Sequence, residues 1–428
     1  MSGALPDERR ERDFRRLWVA QGVSTFGSLI TRAALPFTAA LALGASASEM
    51  ALLGAANLVA GVIVAPLVGP WLDRSRRKPV MLACDAVRAL LLAAIPFAAL
   101  SGHLTIELLL VVQALSGAFS TVFDVAQASW LPELVGEERL VRANARLAGT
   151  NAVAEMTSFG LAGWLVQWFG GPIAIALDAL SYVGSALALT GIRSPERPAA
   201  AAAREAVAHS PLAILRAALR EAAAGMRLAF ADPALAALAT AEAALFAAFG
   251  TFMACYTLFA TRELGLPTGP LGMVFGLGGV AALAASWAAP RLGRRIGVRG
   301  TMAVGLALGA VGLALAAIAP HGRPAVALAL LSAQQLVGDG GWTLFLVHAG
   351  SLRMQLAPPD ARSRVAAGAH ATGVTAMLAG SALAAAIAER WSARAALATG
   401  AALILVGIAA VLARALGAGV RRASTPVA

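Results

Sequence analysis

The sequence predicts an all-α membrane protein, twelve transmembrane helices in two six-helix bundles. Three observations carry that prediction. First, 59% of the 428 residues are hydrophobic and only 13% are charged. Soluble domains carry about 25% charged residues, and a soluble chain this apolar could not clothe its surface in polar groups. Second, the apolar residues fall into about twelve runs near 20 residues long, the length of a membrane-spanning helix and about twice that of a barrel strand. Third, the charges gather in the segments between those runs.

In chain order the expected spans are 17–43, 49–71, 80–100, 105–127, 142–168, 172–192, 233–260, 267–289, 299–319, 324–348, 364–388 and 392–414. Residues 1–16 form a charged leader with Arg9, Arg10, Arg12, Arg15 and Arg16. The apolar run after it is too long for a signal peptide, so the first span is read as uncleaved. Between the second and third spans, "GPWLDRSRRKPVM" (69–81) packs Asp73, Arg74, Arg76, Arg77 and Lys78 into six residues. The break at 193–232 separates the bundles 17–192 and 233–414, with a tail over 415–428. Its second part, "PLAILRAALREAAAGMRLAF", is amphipathic. Arg216, Arg220 and Arg227 share one face; Leu212, Leu215, Leu219 and Met226 share the other. A helix lying on the cytoplasmic membrane surface is expected, with a soluble linker helix as the alternative. Pro36 and Pro66 lie inside spans and should loosen them.

The net charge of +11 would by itself suit a nucleic-acid partner, but its placement explains it otherwise. About 28 of the 34 basic residues fall on one side of the predicted topology. The other side holds Arg262, Arg323, Arg390 and Arg394. The positive-inside rule then puts both termini in the cytoplasm, with no nucleic-acid role. Cys84 and Cys255 lie in apolar runs and read as packing residues. No Walker A sequence, zinc spacing or nucleophile–base pair is visible, so no cofactor, no metal and no enzymatic activity are expected.

The halves carry a trace of duplication. "GPWLDRSRRKPVM" corresponds to "APRLGRRIGVRGTM" (289–302): Pro70 to Pro290, Leu72 to Leu292, Arg74 to Arg294, with Gly293 where Asp73 stands. Parallel six-helix repeats are one transporter plan.

Four spans show polar residues on one helical face. The first has Gln21, Thr25, Ser28 and Arg32. The fourth has Gln113, Ser116, Ser120, Asp124 and Gln127. The tenth has Ser332, Gln335, Asp339 and Thr343. The seventh has Glu242, followed by Phe246, Phe249, Met253 and Thr257. Charged groups at membrane depth usually face a cavity or a partner, which singles out Arg32, Glu242 and Asp339. For Gln21, Ser28, Ser116 and Ser332, interhelical hydrogen bonding is an equal reading. Asp124 is expected in a structural ion pair, Asp85 is expected to neutralise Arg88, and Glu155 and Asp178 have no visible partner. "GMVFG" (272–276) and "GLALG" (305–309) fit close helix packing.

With these motifs in place, the chain resembles the major facilitator superfamily over nearly its whole length. Gly69, Asp73, Arg74, Arg77 and Lys78 match that family's loop motif, with Arg76 where a second glycine is expected. "DRSRRK", "FRRLWVAQGVSTFGSLITRAALP" (14–36), "CDAVRA" (84–89), "FDVAQASWLPELVGEERLVRANA" (123–145) and "LDALSYVGSAL" (177–187) resemble the branch of the enterobactin exporter and macrolide-type efflux proteins. "SFGLAG" (158–163) keeps only Gly160 and Gly163 of the antiporter motif. The resemblance implies that the first and fourth helices of each half line a substrate cavity. It also implies that Asp73 belongs to a cytoplasmic latch; since a helix N-terminus has unpaired N–H groups, Asp73 is expected to cap the start of the eleventh span with Arg362 or Arg364, and Arg77 to pair with Asp124 within the first half.

The expected function is secondary export of small amphipathic molecules across the cell membrane, of drug, macrolide or siderophore type. Gln21, Thr25, Arg32, Gln113, Phe246, Phe249, Met253 and Gln335 are assigned to the cavity, and Glu242 and Asp339 to proton coupling. The partners are the bilayer, a small-molecule substrate and protons, and the chain is read as a monomer. A metabolite importer of the same fold and a non-transporting receptor are the alternatives.

Overall fold

The computed structural model describes residues 7–72, 74–194 and 211–413. The chain separates into two compact units: Met1–Leu43 with Ala55–Arg216, and Gly44–Gly54 with Ala217–Ala428. The first turns of the second helix therefore group with the second unit.

The first unit is built from α1 (Asp7–Ala42), α2 (Ala47–Leu72), α3 (Arg77–Leu100), α4 (Ile106–Val135), α5 (Leu140–Phe169) and α6 (Gly171–Thr190). The second contains α7 (Pro211–Ala231, its last fifteen residues), α8 (Pro233–Leu258), α9 (Thr268–Ala317), α10 (Pro324–Leu356), α11 (Arg362–Arg390) and α12 (Ala393–Leu412). A five-residue π-helical turn, Phe259–Glu263, extends α8. Among the described residues, eight helical segments are long and apolar enough to cross a membrane by length and composition.

Helix ends follow local chemistry. Thr105 accepts from Leu108 N–H at the start of α4. Asp232 caps α8 through Ala234 and Leu235 N–H, with Pro233 in the first turn, where its missing N–H costs nothing. Ser392 caps α12 through Ala395 N–H at 3.1 Å, and Glu263 Oε1 accepts from Ala393 N–H at 2.7 Å.

Two joints are made by single glycines. Gly170 (φ 83°, ψ 158°) separates α5 from α6. Gly297 (φ 77°, ψ 162°) breaks α9 into arms 268–296 and 298–317. This backbone region is essentially closed to residues with a Cβ. Gly297 also corrects the expected loop between the eighth and ninth spans. Arg291, Arg294 and Arg295 ride on the helix, because their long stems can lie along its surface while the charges stay in solvent. Pro66 and Pro36 likewise lie within unbroken helices.

The two units repeat one packing scheme. In the first, α1 packs on α6 and α5, and α3 packs on α6 and α4. In the second, α8 packs on α12 and α11, and α9 packs on α12 and α10. Small residues allow the closest approaches: Gly305 in the second arm of α9 meets the backbone of Gly341 in α10, the role expected of "GLALG". Cys84 sits in the core of the first unit with Met81, Phe123 and Trp130. Cys255 Sγ donates to Ala384 O.

The repeat extends to a pair of basic clamps. Lys78, at the start of α3, donates Nζ to Thr190 O (3.0 Å) and Ile192 O (2.6 Å) at the end of α6. Arg299, at the start of the second arm of α9, donates to Val411 O (2.7 Å) and Ala413 O (3.2 Å) at the end of α12. Cations there satisfy terminal carbonyls and oppose the negative end of the helix dipole.

The amphipathic segment forms α7. Its Gly225 lies against Gly368 of α11, and Leu228 packs on Leu235, Ala361 and Val365. Leu212 and Leu219 stay exposed.

Candidate functional site

In the first unit, the best-defined polar cluster lies in α3, α4 and α6. Asp85 and Arg88, one helical turn apart, form the expected ion pair at 2.5 Å, both almost fully buried. Ser185 donates to the other Asp85 oxygen at 2.7 Å. The Arg88 guanidinium lies between the rings of Phe123 (4.6 Å) and Tyr182 (4.2 Å) and donates to Ser120 at 3.2 Å. Desolvated cation–ring contacts of this kind are worth about 2 kcal/mol. Asp178, for which the sequence offered no partner, accepts from Thr31 of α1 (2.6 Å) and Ser181 (2.9 Å). Ser28 bonds the Tyr182 hydroxyl at 2.7 Å, the helix-gluing role that was one of its two readings.

Thr25 lies 3.4 Å from Asn151 of α5. Arg32 is exposed, Gln113 is half-buried, and Glu155 is exposed on α5. The Gln21, Ser116 and Gln127 side chains each bury a polar atom with no hydrogen-bond partner among the described residues.

In the loop motif, Asp73 lies outside the described residues. Arg77 corrects the expected pairing: it faces Glu133 of α4 at 3.9 Å. Glu133 is nine residues, about 13 Å of helix, beyond Asp124, and Asp124 instead lies within electrostatic range of Arg88. A Cβ at Gly69 would meet nothing within 4 Å. Arg74, Arg362 and Arg364 are exposed.

The second unit gathers its candidates on α8, α9 and α10. Glu242 is 3% exposed and is bound by the Arg353 guanidinium. The expected tenth span ends at 348, but α10 runs on to Leu356, three residues past Arg353, and carries that charge back to α8. Beyond this pair runs a ladder of rings. Phe246 and Phe249 flank Trp342 of α10 at 5.8 and 4.8 Å between centroids. Phe249 stacks on Phe252 (6.2 Å), Phe252 meets Tyr256 in a tilted pair (4.3 Å), and Tyr256 meets Phe275 of α9 (5.2 Å). Met253, expected in this wall, is 43% exposed. The ladder joins Phe246 and Phe249 of the predicted stripe to Phe252 and Tyr256, which lay outside it. Trp342 was visible as the aromatic neighbour of Thr343, one turn after Asp339.

Asp339 stands beside that ladder. A Cβ added to Gly278 of α9 would fall 2.0 Å from Asp339 Oδ2 and 3.2 Å from Gln335 Nε2. The missing side chain therefore makes the niche that the carboxylate occupies. Asp339 has no ion pair among the described residues. Gln335 Oε1 and the Tyr256 hydroxyl, both buried, have no hydrogen-bond partner among them. Thr343 donates to Asp339 O at 2.9 Å and so serves the helix backbone. No group of three His, Cys, Asp or Glu side chains among the described residues is placed to hold a metal ion.

Apolar helices of membrane-spanning length, with charged and aromatic groups set at span depth, define a polytopic membrane protein. The chain belongs to the Major Facilitator Superfamily, whose family profile matches residues 17–368. Among solved structures, it is similar to a bacterial homologue of the iron transporter ferroportin in an inward-facing state. The TM-score is 0.69 at 20% identity, over 97% of this chain and 99% of that one. The nucleoside transporter NupG gives a TM-score of 0.71 at 13% identity, over 94% and 98%. A bacterial homologue of the human drug peptide transporters PepT1 and PepT2 gives 0.64 at 17%, over 97% and 100%. Identities this low establish the shared fold alone. No curated protein matches the chain.

Proposed function

We propose that this transporter exports small amphipathic molecules of drug, macrolide or siderophore type by proton antiport and alternating access, with both termini in the cytoplasm. The observation that carries the reading is the placement of Asp339: a carboxylate at span depth, seated in a glycine niche with no cationic partner among the described residues, beside a ladder of aromatic rings. Rings give an apolar, sequence-tolerant binding surface, and a carboxylate without a fixed counter-charge is free to exchange a proton or a cationic substrate group. Glu242 already has Arg353, so Asp339 is the proton carrier and the Glu242–Arg353 pair supports it. The exporter-like segments at 14–36, 84–89 and 123–145 support the direction of transport.

The test is flux in proteoliposomes under an imposed pH gradient, with a panel of amphipathic drugs and siderophores. Gradient-dependent movement of at least one compound against its own gradient supports antiport. Movement that ignores the proton gradient, or follows it in the same direction, overturns it.

A further inference from the structure

The first unit contains a cavity of about 720 Å³ that has no part in the site above. It lies where the head of α1 meets the α4–α5 turn, at the arginine-rich end of the unit. Arg10, Arg12 and Arg15 enter it from α1, and Arg139, Arg142 and Arg146 from the start of α5. Only Glu8 and Glu11 oppose them in the lining. Phe14, Val135 and Ala143 form its apolar part.

The charges are unevenly satisfied. Arg146 is committed to Glu11 at 2.7 Å and lies over the rings of Phe14 (5.7 Å) and Trp18 (6.0 Å). Arg12, Arg15 and Arg142 make no ion pair among the described residues, and Arg10 buries its Nε with no hydrogen-bond partner there. The local field is strong enough to register on its one buttressing acid. The Arg146 hydrogen bond, with Arg142 and Arg139 in range, holds the Glu11 carboxyl below the usual carboxylate range.

We propose that this cavity binds a phosphate-bearing anion, and that its occupant is the headgroup of an acidic phospholipid. Several guanidinium groups converging on one space match phosphate, since each offers paired N–H donors in a plane. Arg12, Arg15 and Arg142, without an ion pair among the described residues, leave a surplus that one neutral or zwitterionic headgroup would not answer. The level fits a lipid. The apolar run of α1 begins at Leu17, two residues past Arg15, the cavity's last arginine on that helix, and Val141, adjoining Arg142, is 82% exposed. An acyl chain has apolar surface to lie on as it leaves the headgroup. Polybasic sites beside membrane spans gain about 1 kcal/mol per basic residue from acidic lipid. The proposal is independent of which molecule is transported.

The test uses the full-length chain in detergent and native mass spectrometry with phosphatidylglycerol, cardiolipin and phosphatidylethanolamine. Retention of the acidic lipids at least fivefold over phosphatidylethanolamine is expected, and it should fall to the phosphatidylethanolamine level in Arg12→Gln/Arg15→Gln/Arg142→Gln. A charge control, Arg294→Gln/Arg295→Gln in α9, should keep the preference. Equal loss in the control would show a general charge effect and overturn the site, as would an absence of preference in the wild type. Inorganic pyrophosphate separates the two sources of phosphate. Failure to displace the lipid at millimolar concentration supports the headgroup; binding of pyrophosphate with no acidic-lipid preference overturns it in favour of a free anion. If the triple variant is poorly folded, Arg142→Gln alone should still lower retention measurably, and full retention would overturn the proposal.

Discussion

Glu242 of α8 and Arg353 of α10 form an ion pair with 4% and 20% of their side chains exposed. Removing either partner strands the other charge at low dielectric, a loss of about 3 kcal/mol or more. Glu242→Gln and Arg353→Gln should each lower the unfolding temperature in detergent, and the double variant should recover much of the loss. A double variant as unstable as the sum of the two would show that the charges do not act as a pair.

Asp339→Asn should abolish proton-driven export while leaving substrate binding within about threefold of wild type, less than 1 kcal/mol. Gly278→Ala offers a second route to the same carboxylate, since its Cβ would fall 2.0 Å from Oδ2. Ångström-scale displacement of a working group commonly costs tenfold or more in rate, so Gly278→Ala should slow export about tenfold without removing any charge. Normal export by both variants would clear Asp339 of a coupling role.

Trp342 touches two rings of the ladder, and each such pair is worth about 0.5–1.5 kcal/mol. Trp342→Ala should weaken binding of an aromatic substrate about tenfold, and Trp342→Phe should restore most of it. Equilibrium dye binding by fluorescence polarisation measures both. Equal affinity in all three proteins would move the binding surface elsewhere.

Much of the fold was legible because run length alone specifies a spanning helix. The continuous rod through Arg291, Arg294 and Arg295 was not, since a patch of arginines on a helix reads the same as a loop until Gly297 is seen at positive φ. At the candidate site, Gln335 and Asp339 share the stripe read on α10, and both lie against Gly278 of α9. The stripe on α8 contained Phe246 and Phe249, which meet Trp342; Phe252 and Tyr256 stayed outside it because each lies three residues after a stripe position, on the neighbouring face of the helix. The hydroxyls that bind Asp178 were hidden for another reason. Thr31 lies 147 residues away in α1, a distance no local pattern spans.

Lys78 was read as part of a latch motif, yet within its own unit it already holds the end of α6. Lys78→Ala should cost about 1–2 kcal/mol and accelerate hydrogen exchange in the last turn of α6. Lys78→Arg should restore both. The matching Arg299→Ala should act only on α12, and an effect on neither helix end would remove the clamps from the account.

Gly170→Ala and Gly297→Ala should each destabilise by about 1–3 kcal/mol, the cost of forcing a Cβ into that backbone region. Thermal unfolding would show it, and an unchanged midpoint would mean the joint relaxes freely. The consequence reaches past stability. A joint one residue long has no slack to pay out, so α5 cannot slide along α6, nor one arm of α9 along the other. Each pair can pivot at its glycine or travel as one piece. Any sliding that transport requires must therefore be taken up across longer connections, while these glycine elbows can serve only as pivots.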